Sequence, residues 1–93
     1  MMSNSQSPLP RLTVYTTPTC PDCQALKDWL AREGLVFQER DLSDPAIMAE
    51  AKARFGVRIA PITEIGDWFT YGTFEDQKPR IEARLKEVGI WPI

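Results

Sequence analysis

Apolar and polar positions follow two different periods along the chain, and each change of period marks a new element. A β-branched and aromatic run at residues 12–16 predicts a strand. Residues 21–33 instead carry apolar side chains one helical turn apart, which predicts a helix. Pro21 suits the first helical position because proline lacks the N–H that would have no partner there, and Gly34 is a plausible stop.

The same two periods recur in the middle of the chain. Residues 35–40 predict a second strand, which ends near Asp41. The segment 43–45 then reads Ser-Asp-Pro, an N-cap followed by proline at the first helical position, and the helix after it ends at Gly56. The order strand, helix, strand, helix predicts a right-handed βαβ unit with parallel strands.

The last third of the chain has a different organisation. Residues 62–65 and 68–71 flank a two-residue Gly-Asp turn, which predicts a hairpin. A final helix is predicted from about residue 78 to 88, with Pro79 in its first turn. The order β-α-β-α-β-β-α predicts an α/β fold, a four-stranded mixed sheet flanked by three helices.

Composition limits the possible partners. The chain has 93 residues, which fits one domain, and a net charge of -2. It contains no Lys/Arg-rich run and no apolar run of about 18 residues, so we expect neither a nucleic-acid nor a membrane partner.

Residues 1–10 predict a flexible tail, without the pattern of a secretory signal, before a domain spanning 11–93. A cytoplasmic protein is therefore expected, and nothing requires it to be other than a monomer.

The chain has two cysteines, Cys20 and Cys23, and no histidine. Zinc would need ligands beyond two thiolates, and nucleophilic catalysis by a Ser-His or Cys-His pair is excluded. In a reducing cytosol a Cys-x-x-Cys pair indicates redox catalysis, and we expect no metal. A structural cysteine pair, or a cluster shared by two chains, remains an alternative.

The position of Cys20 at the entrance to the first helix predicts its role. Free N–H groups and the positive end of the helix dipole lower the pKa of a thiol below the ordinary value of about 8.5, so Cys20 is the predicted nucleophile. Cys23, one turn inside, is the predicted resolving thiol. Pro21 stiffens that turn. Asp22 would oppose a neighbouring thiolate and repel an anionic small molecule, but only weakly, because we expect it to be exposed to solvent.

Three stretches, residues 12–23, 60–62 and 71–76, resemble the thioredoxin superfamily, specifically glutaredoxins and NrdH-type redoxins. The resemblance implies a thioredoxin-like (glutaredoxin) fold and a thiol-disulfide oxidoreductase. It also implies that the protein binds no cofactor and works through a redox-active Cys20–Cys23 disulfide.

The resemblance further implies a substrate site. Pro61 should follow a cis peptide bond, so that the backbone of Ala60 faces an extended substrate chain beside Cys20. Arg58 could supply the positive charge that holds a glutathione carboxylate in glutaredoxins, since the stretch 17–19 contains no cation. The glycine turn that would hold the γ-glutamyl end of glutathione is formed by Gly72, Thr73, Phe74 and Glu75.

The reductant stays open between two subfamilies. NrdH-type redoxins are usually reduced by thioredoxin reductase, and Asp22, the cation-free stretch 17–19 and the Ala60-Pro61 pair favour that type. The Gly72 turn instead favours a glutathione-dependent glutaredoxin. A ribonucleotide reductase or a peroxidase is the client that the resemblance implies. A non-catalytic redox-sensing regulator is a further alternative, although the regulators that share this motif are longer than this chain.

Overall fold

Four strands and three helices make up the part of the chain that the computed structural model describes, residues 11–57 and 59–92. The predicted tail, residues 1–10, and the predicted substrate-binding Arg58 lie outside these described residues. The elements in chain order are β1 (Leu12–Thr16), α1 (Pro21–Arg32), β2 (Gln38–Asp41), α2 (Pro45–Phe55), β3 (Ile62–Ile65), β4 (Trp68–Tyr71) and α3 (Phe74–Val88).

The strands form one mixed sheet in the order β2-β1-β3-β4. β1 runs parallel to β2, with Val14 opposite Glu39, and antiparallel to β3, with Tyr15 opposite Ile62. β3 and β4 form the hairpin, in which Ile62 lies opposite Tyr71. The parallel βαβ unit, the hairpin and the α/β architecture predicted from the sequence are thus confirmed.

The two faces of the sheet carry separate apolar clusters, because successive side chains of a strand point to opposite faces. Val14 packs against α1 and α3, in a cluster that includes Leu26 of α1 and Leu85 of α3. Tyr15 packs on the other face with Ala51 of α2. β1 lies between β2 and β3 and is buried along its whole length.

Two helix boundaries follow the predicted signals. Asp44 caps α2 by accepting a hydrogen bond from the Ala46 N–H at 2.9 Å, and Pro45 is its first residue. Gly56 ends α2 with φ of 72°, a left-handed conformation that glycine adopts without steric cost. Gly34 follows α1 with φ of 73°.

Two predicted boundaries are wrong. α3 begins at Phe74 rather than near residue 78, because Thr73 caps it by accepting a hydrogen bond from the Asp76 N–H at 3.1 Å. Pro79 therefore lies inside the helix, on its exposed side, and not in its first turn. β2 begins at Gln38 rather than at residue 35, since the Leu35 N–H closes the end of α1 by donating to the Leu30 carbonyl at 3.0 Å.

None of the helices in the described ranges is long and apolar enough to span a bilayer.

Candidate active site

Cys20 and Cys23 form a disulfide at the start of α1. Cys20 is the N-cap residue, with an extended backbone (φ -116°, ψ 105°), and its sulfur accepts a hydrogen bond from the Cys23 N–H at 3.0 Å. Pro21 follows as the first helical residue. Cys20 is partly exposed, whereas the side chain of Cys23 is only 1% exposed. The structure therefore leaves the Cys20 side chain partly accessible and covers that of Cys23.

The helix start favours negative charge on the Cys20 sulfur. The amide groups of a first turn have no intrahelical acceptor, and they lie at the positive end of the helix dipole. The Cys23 N–H points at the sulfur itself, and a hydrogen bond to a thiolate is stronger than one to a thiol. The geometry predicted for a nucleophilic Cys20 is present, and the roles of the two cysteines stay predictions.

Asp22 is not the freely exposed residue that the sequence suggested. It is half-buried, and its Oδ1 accepts a hydrogen bond from the backbone N–H of Phe74 at 3.1 Å. Phe74 is the first residue of α3, so its N–H would otherwise have no partner within the helix. The expectation of a solvent-exposed Asp22 is wrong because the first turn of α1 faces the beginning of α3.

The segment before β3 lies at the same edge of the sheet as the disulfide. The Ala60–Pro61 peptide bond is cis, as the resemblance implies, and Pro61 is buried. Tyr15, one residue from the end of β1, lies opposite Ile62, and Ile62 lies opposite Tyr71. The pairing therefore brings the end of β1, the Pro61 segment and the glycine turn after β4 to one edge.

The glycine turn leads directly into α3. Gly72 has φ of 121°, a conformation that L side chains rarely adopt, and Thr73 is the helix cap. The ring of Phe74 packs against Trp29 of α1, with 6.1 Å between the ring centroids. Glu75 is exposed in the first turn of α3. The turn is thus fixed to the helix that carries the cysteines.

The buried side-chain amide of Gln77, which the sequence analysis missed, joins the Pro61 segment to the glycine turn. Gln77 is fully buried in α3, and its Nε2 donates to the Pro61 carbonyl at 2.7 Å and to the Gly72 carbonyl at 2.9 Å. Its Oε1 accepts from the Thr63 hydroxyl at 2.7 Å. The sequence pattern could have indicated that Gln77 is buried, because this residue lies one turn before Ile81 on the apolar stripe of α3.

Glu39 of β2 connects the end of β1 with α1. One carboxylate oxygen of Glu39 accepts from the Thr16 hydroxyl at 2.7 Å and from the Lys27 ammonium group at 2.9 Å. The Thr16 hydrogen bond, and then the Lys27 hydrogen bond and charge, hold the pKa of Glu39 below its ordinary value of 4.5. The end of β1 is thus linked to β2, and β2 is linked to α1.

Across residues 11–57 and 59–92, no group of three or more Cys, Asp or Glu side chains is placed to hold a metal ion.

A disulfide at the start of the helix after β1, at the same edge of the sheet as a cis-proline segment, defines a dithiol-disulfide oxidoreductase of the thioredoxin-like fold. The glutaredoxin family profile matches residues 12–69, which is more than half of the chain. The chain belongs to the glutaredoxin family, whose members are thiol-disulfide oxidoreductases.

Individual relatives agree with this assignment. The chain is 27% identical over 74 residues to the glutaredoxin-like protein NrdH of Lactococcus lactis subsp. cremoris, a match that covers 80% of this chain and 97% of that protein. The NrdH-redoxin structure from Escherichia coli superposes with a TM-score of 0.63 at 30% identity, covering 76% of this chain and 93% of the other.

A shorter match concerns a regulator. Over 43 residues the chain is 40% identical to the global transcriptional regulator Spx of Enterococcus faecalis. This match spans 45% of the chain and only 33% of the regulator. It therefore covers a third of that protein, whereas the NrdH match covers nearly all of its relative.

Proposed function

We propose that this protein reduces disulfides of other proteins, as a cytoplasmic monomer, and that thioredoxin reductase reduces it in turn. The Cys20 thiolate attacks a client disulfide, forms a mixed disulfide and expels one client thiolate. Cys23, deprotonated, then attacks the Cys20 sulfur, which releases the second client thiolate and leaves the Cys20–Cys23 disulfide. Two electrons pass to the client, and the reductase restores them. The client classes that the family resemblance suggests are a ribonucleotide reductase and a peroxidase.

One observation carries these roles, the Cys23 N–H bonded to the sulfur of a partly exposed Cys20 at 3.0 Å. The Cys23 N–H stabilises the attacking Cys20 thiolate. When Cys23 resolves the mixed disulfide it attacks this same sulfur, and the client thiolate is the leaving group. The buried Cys23 is shielded from the client until the mixed disulfide has formed. The carbonyl and amide groups next to the Ala60–Pro61 bond lie at the same edge of the sheet, where an extended client segment can pair with them.

Glutathione is the alternative reductant, because the turn from Gly72 to Glu75 joins α3 at the edge of the sheet that holds the disulfide. Asp22 argues against it. Its carboxylate already occupies the Phe74 N–H, the first amide of that helix, and adds a negative charge beside the cysteines. Thioredoxin reductase is therefore the proposed electron donor.

A paired assay tests the proposal. One arm supplies NADPH and thioredoxin reductase, the other NADPH, glutathione and glutathione reductase, and both follow the reduction of insulin. We expect turnover in the first arm, none with Cys20→Ser, and a trapped mixed disulfide with Cys23→Ser. Turnover only with glutathione would overturn the proposed reductant. Absence of turnover in both arms would favour a redox-sensing regulator.

A further inference from the structure

Asp22 is the charged residue inside the cysteine motif, and its position is fixed. Its Oδ1 accepts the hydrogen bond from the Phe74 N–H at 3.1 Å, and the side chain is half-buried. A charge-assisted hydrogen bond of this kind holds a carboxylate more firmly than solvent does. The negative charge therefore lies between the two helix starts and does not move freely.

Both ends of that hydrogen bond belong to rigid elements. On one side, Pro21 and the first turn of α1 carry Asp22. On the other, Phe74 is held by its contact with Trp29, at 6.1 Å between ring centroids, and by the capped start of α3. The N-terminal dipole of α3 favours an anion at this place, and the protein supplies that anion itself.

We propose that Asp22 is a specificity-determining residue that selects the reductant by charge. Its carboxylate disfavours anionic thiols at the Cys20–Cys23 disulfide and favours neutral or cationic ones. This inference rests on the proposed disulfide exchange at this site and adds to it which donors are accepted.

The physical reason is the charge already present in the exchange reaction. A donor thiolate that attacks the Cys20 sulfur forms a mixed disulfide and expels the Cys23 thiolate. A second donor thiolate then attacks the donor's own sulfur in that mixed disulfide, which yields the free donor disulfide and the Cys20 thiolate. A further carboxylate on the donor meets the charge of Asp22 in both steps. It also finds the Phe74 N–H already bonded.

The experiment uses three small thiols of similar size that differ in charge. 2-Mercaptoethanol is neutral, thioglycolate carries a carboxylate and cysteamine carries an ammonium group. Rates of reduction of the oxidised protein are measured for the wild type and for Asp22→Asn. Each rate is divided by the rate of the same protein with 2-mercaptoethanol, so that differences in intrinsic reactivity between the two proteins cancel. The asparagine side chain can still accept the Phe74 N–H, so the substitution removes the charge and keeps the shape.

Asp28→Asn is the matched control. Asp28 lies in α1 as well, six residues further along and exposed, and it accepts a hydrogen bond from Gln24 at 2.9 Å. Its substitution changes the net charge of the protein by the same amount, about 9 Å further along the helix axis.

In Asp22→Asn we expect the relative rate with thioglycolate to rise about threefold and that with cysteamine to fall, with both changes smaller at high salt. Asp28→Asn should leave both ratios near those of the wild type. Equal ratios in all three proteins would overturn the selection by charge. Insulin reduction by the pre-reduced wild type, followed in parallel, tests the proposed function separately.

Discussion

A single side chain, Gln77, connects the Pro61 segment and the Gly72 turn, which lie at the same edge of the sheet as the disulfide. Gln77→Leu would leave the carbonyls of Pro61 and Gly72 and the hydroxyl of Thr63 without their partner. Because buried polar groups without partners cost more than the hydrogen bonds themselves contribute, we expect a loss of about 2–4 kcal/mol in the free energy of unfolding. Urea unfolding followed by fluorescence measures it.

Gln24→Leu is the matched control for that substitution, because Gln24 is an exposed glutamine with a hydrogen bond to Asp28. The Gln24→Leu substitution should change the free energy of unfolding by no more than about 0.5 kcal/mol. A loss for Gln77→Leu as small as that of the control would contradict the role of this amide.

At the residue scale the sequence predicted the placement of the cysteines but not the contacts around them. The Cys-x-x-Cys spacing and Pro21, directly after Cys20, are local signals, and they correctly placed Cys20 at the helix start. The Asp22 contact joins residues 52 positions apart, and the Gln77 contact with Pro61 joins residues 16 positions apart. Such partners depend on how the elements pack, which no local pattern contains.

Among the elements, β2 is an edge strand with mostly exposed residues, so side-chain contacts contribute to holding it in place. Glu39→Gln should weaken its contacts with Thr16 and Lys27 and lower the free energy of unfolding at pH 7 by roughly 0.5 kcal/mol, since the pair is partly exposed. The pKa of Glu39 is lowered in the folded protein, so its contribution is present above the ordinary value of 4.5.

The difference between wild type and Glu39→Gln should therefore shrink as the pH falls below 4.5 toward the folded pKa. Urea unfolding at a series of pH values measures this difference. Glu75→Gln removes the same charge from an exposed site away from β2 and provides the control. A difference that stays constant from pH 7 to pH 3 would contradict the contribution of the carboxylate.

The start of α3 shows why one element was placed wrongly. The apolar stripe and Pro79 suggested a beginning near residue 78, but periodicity locates a helix better than its ends. The pattern Thr73-x-x-Asp76 is a capping signal that marks the observed start. The early start matters for the site, because it brings the Phe74 N–H to Asp22.

For the whole molecule, the alternation of periods was sufficient to predict the order of elements and the mixed sheet. The pairing of β1 with β3, and of β3 with β4, then brings three distant segments to one edge. The sequence alone left the reductant open, because the contact between Asp22 and the first amide of α3 forms only in the folded chain. The contact of Asp22 with α3 is the feature of the fold that favours a donor other than glutathione.

The nucleophilic role proposed for Cys20 follows from its place at the start of α1. The most direct test treats the fully reduced protein with limiting iodoacetamide at pH 7 and measures the modified peptides by mass spectrometry. We expect Cys20 to react at least about tenfold faster than Cys23, because it is more exposed and its sulfur accepts the Cys23 N–H. Cys23→Ser, which keeps that N–H, should leave the fast reaction intact. Equal rates, or faster modification of Cys23, would contradict the assignment.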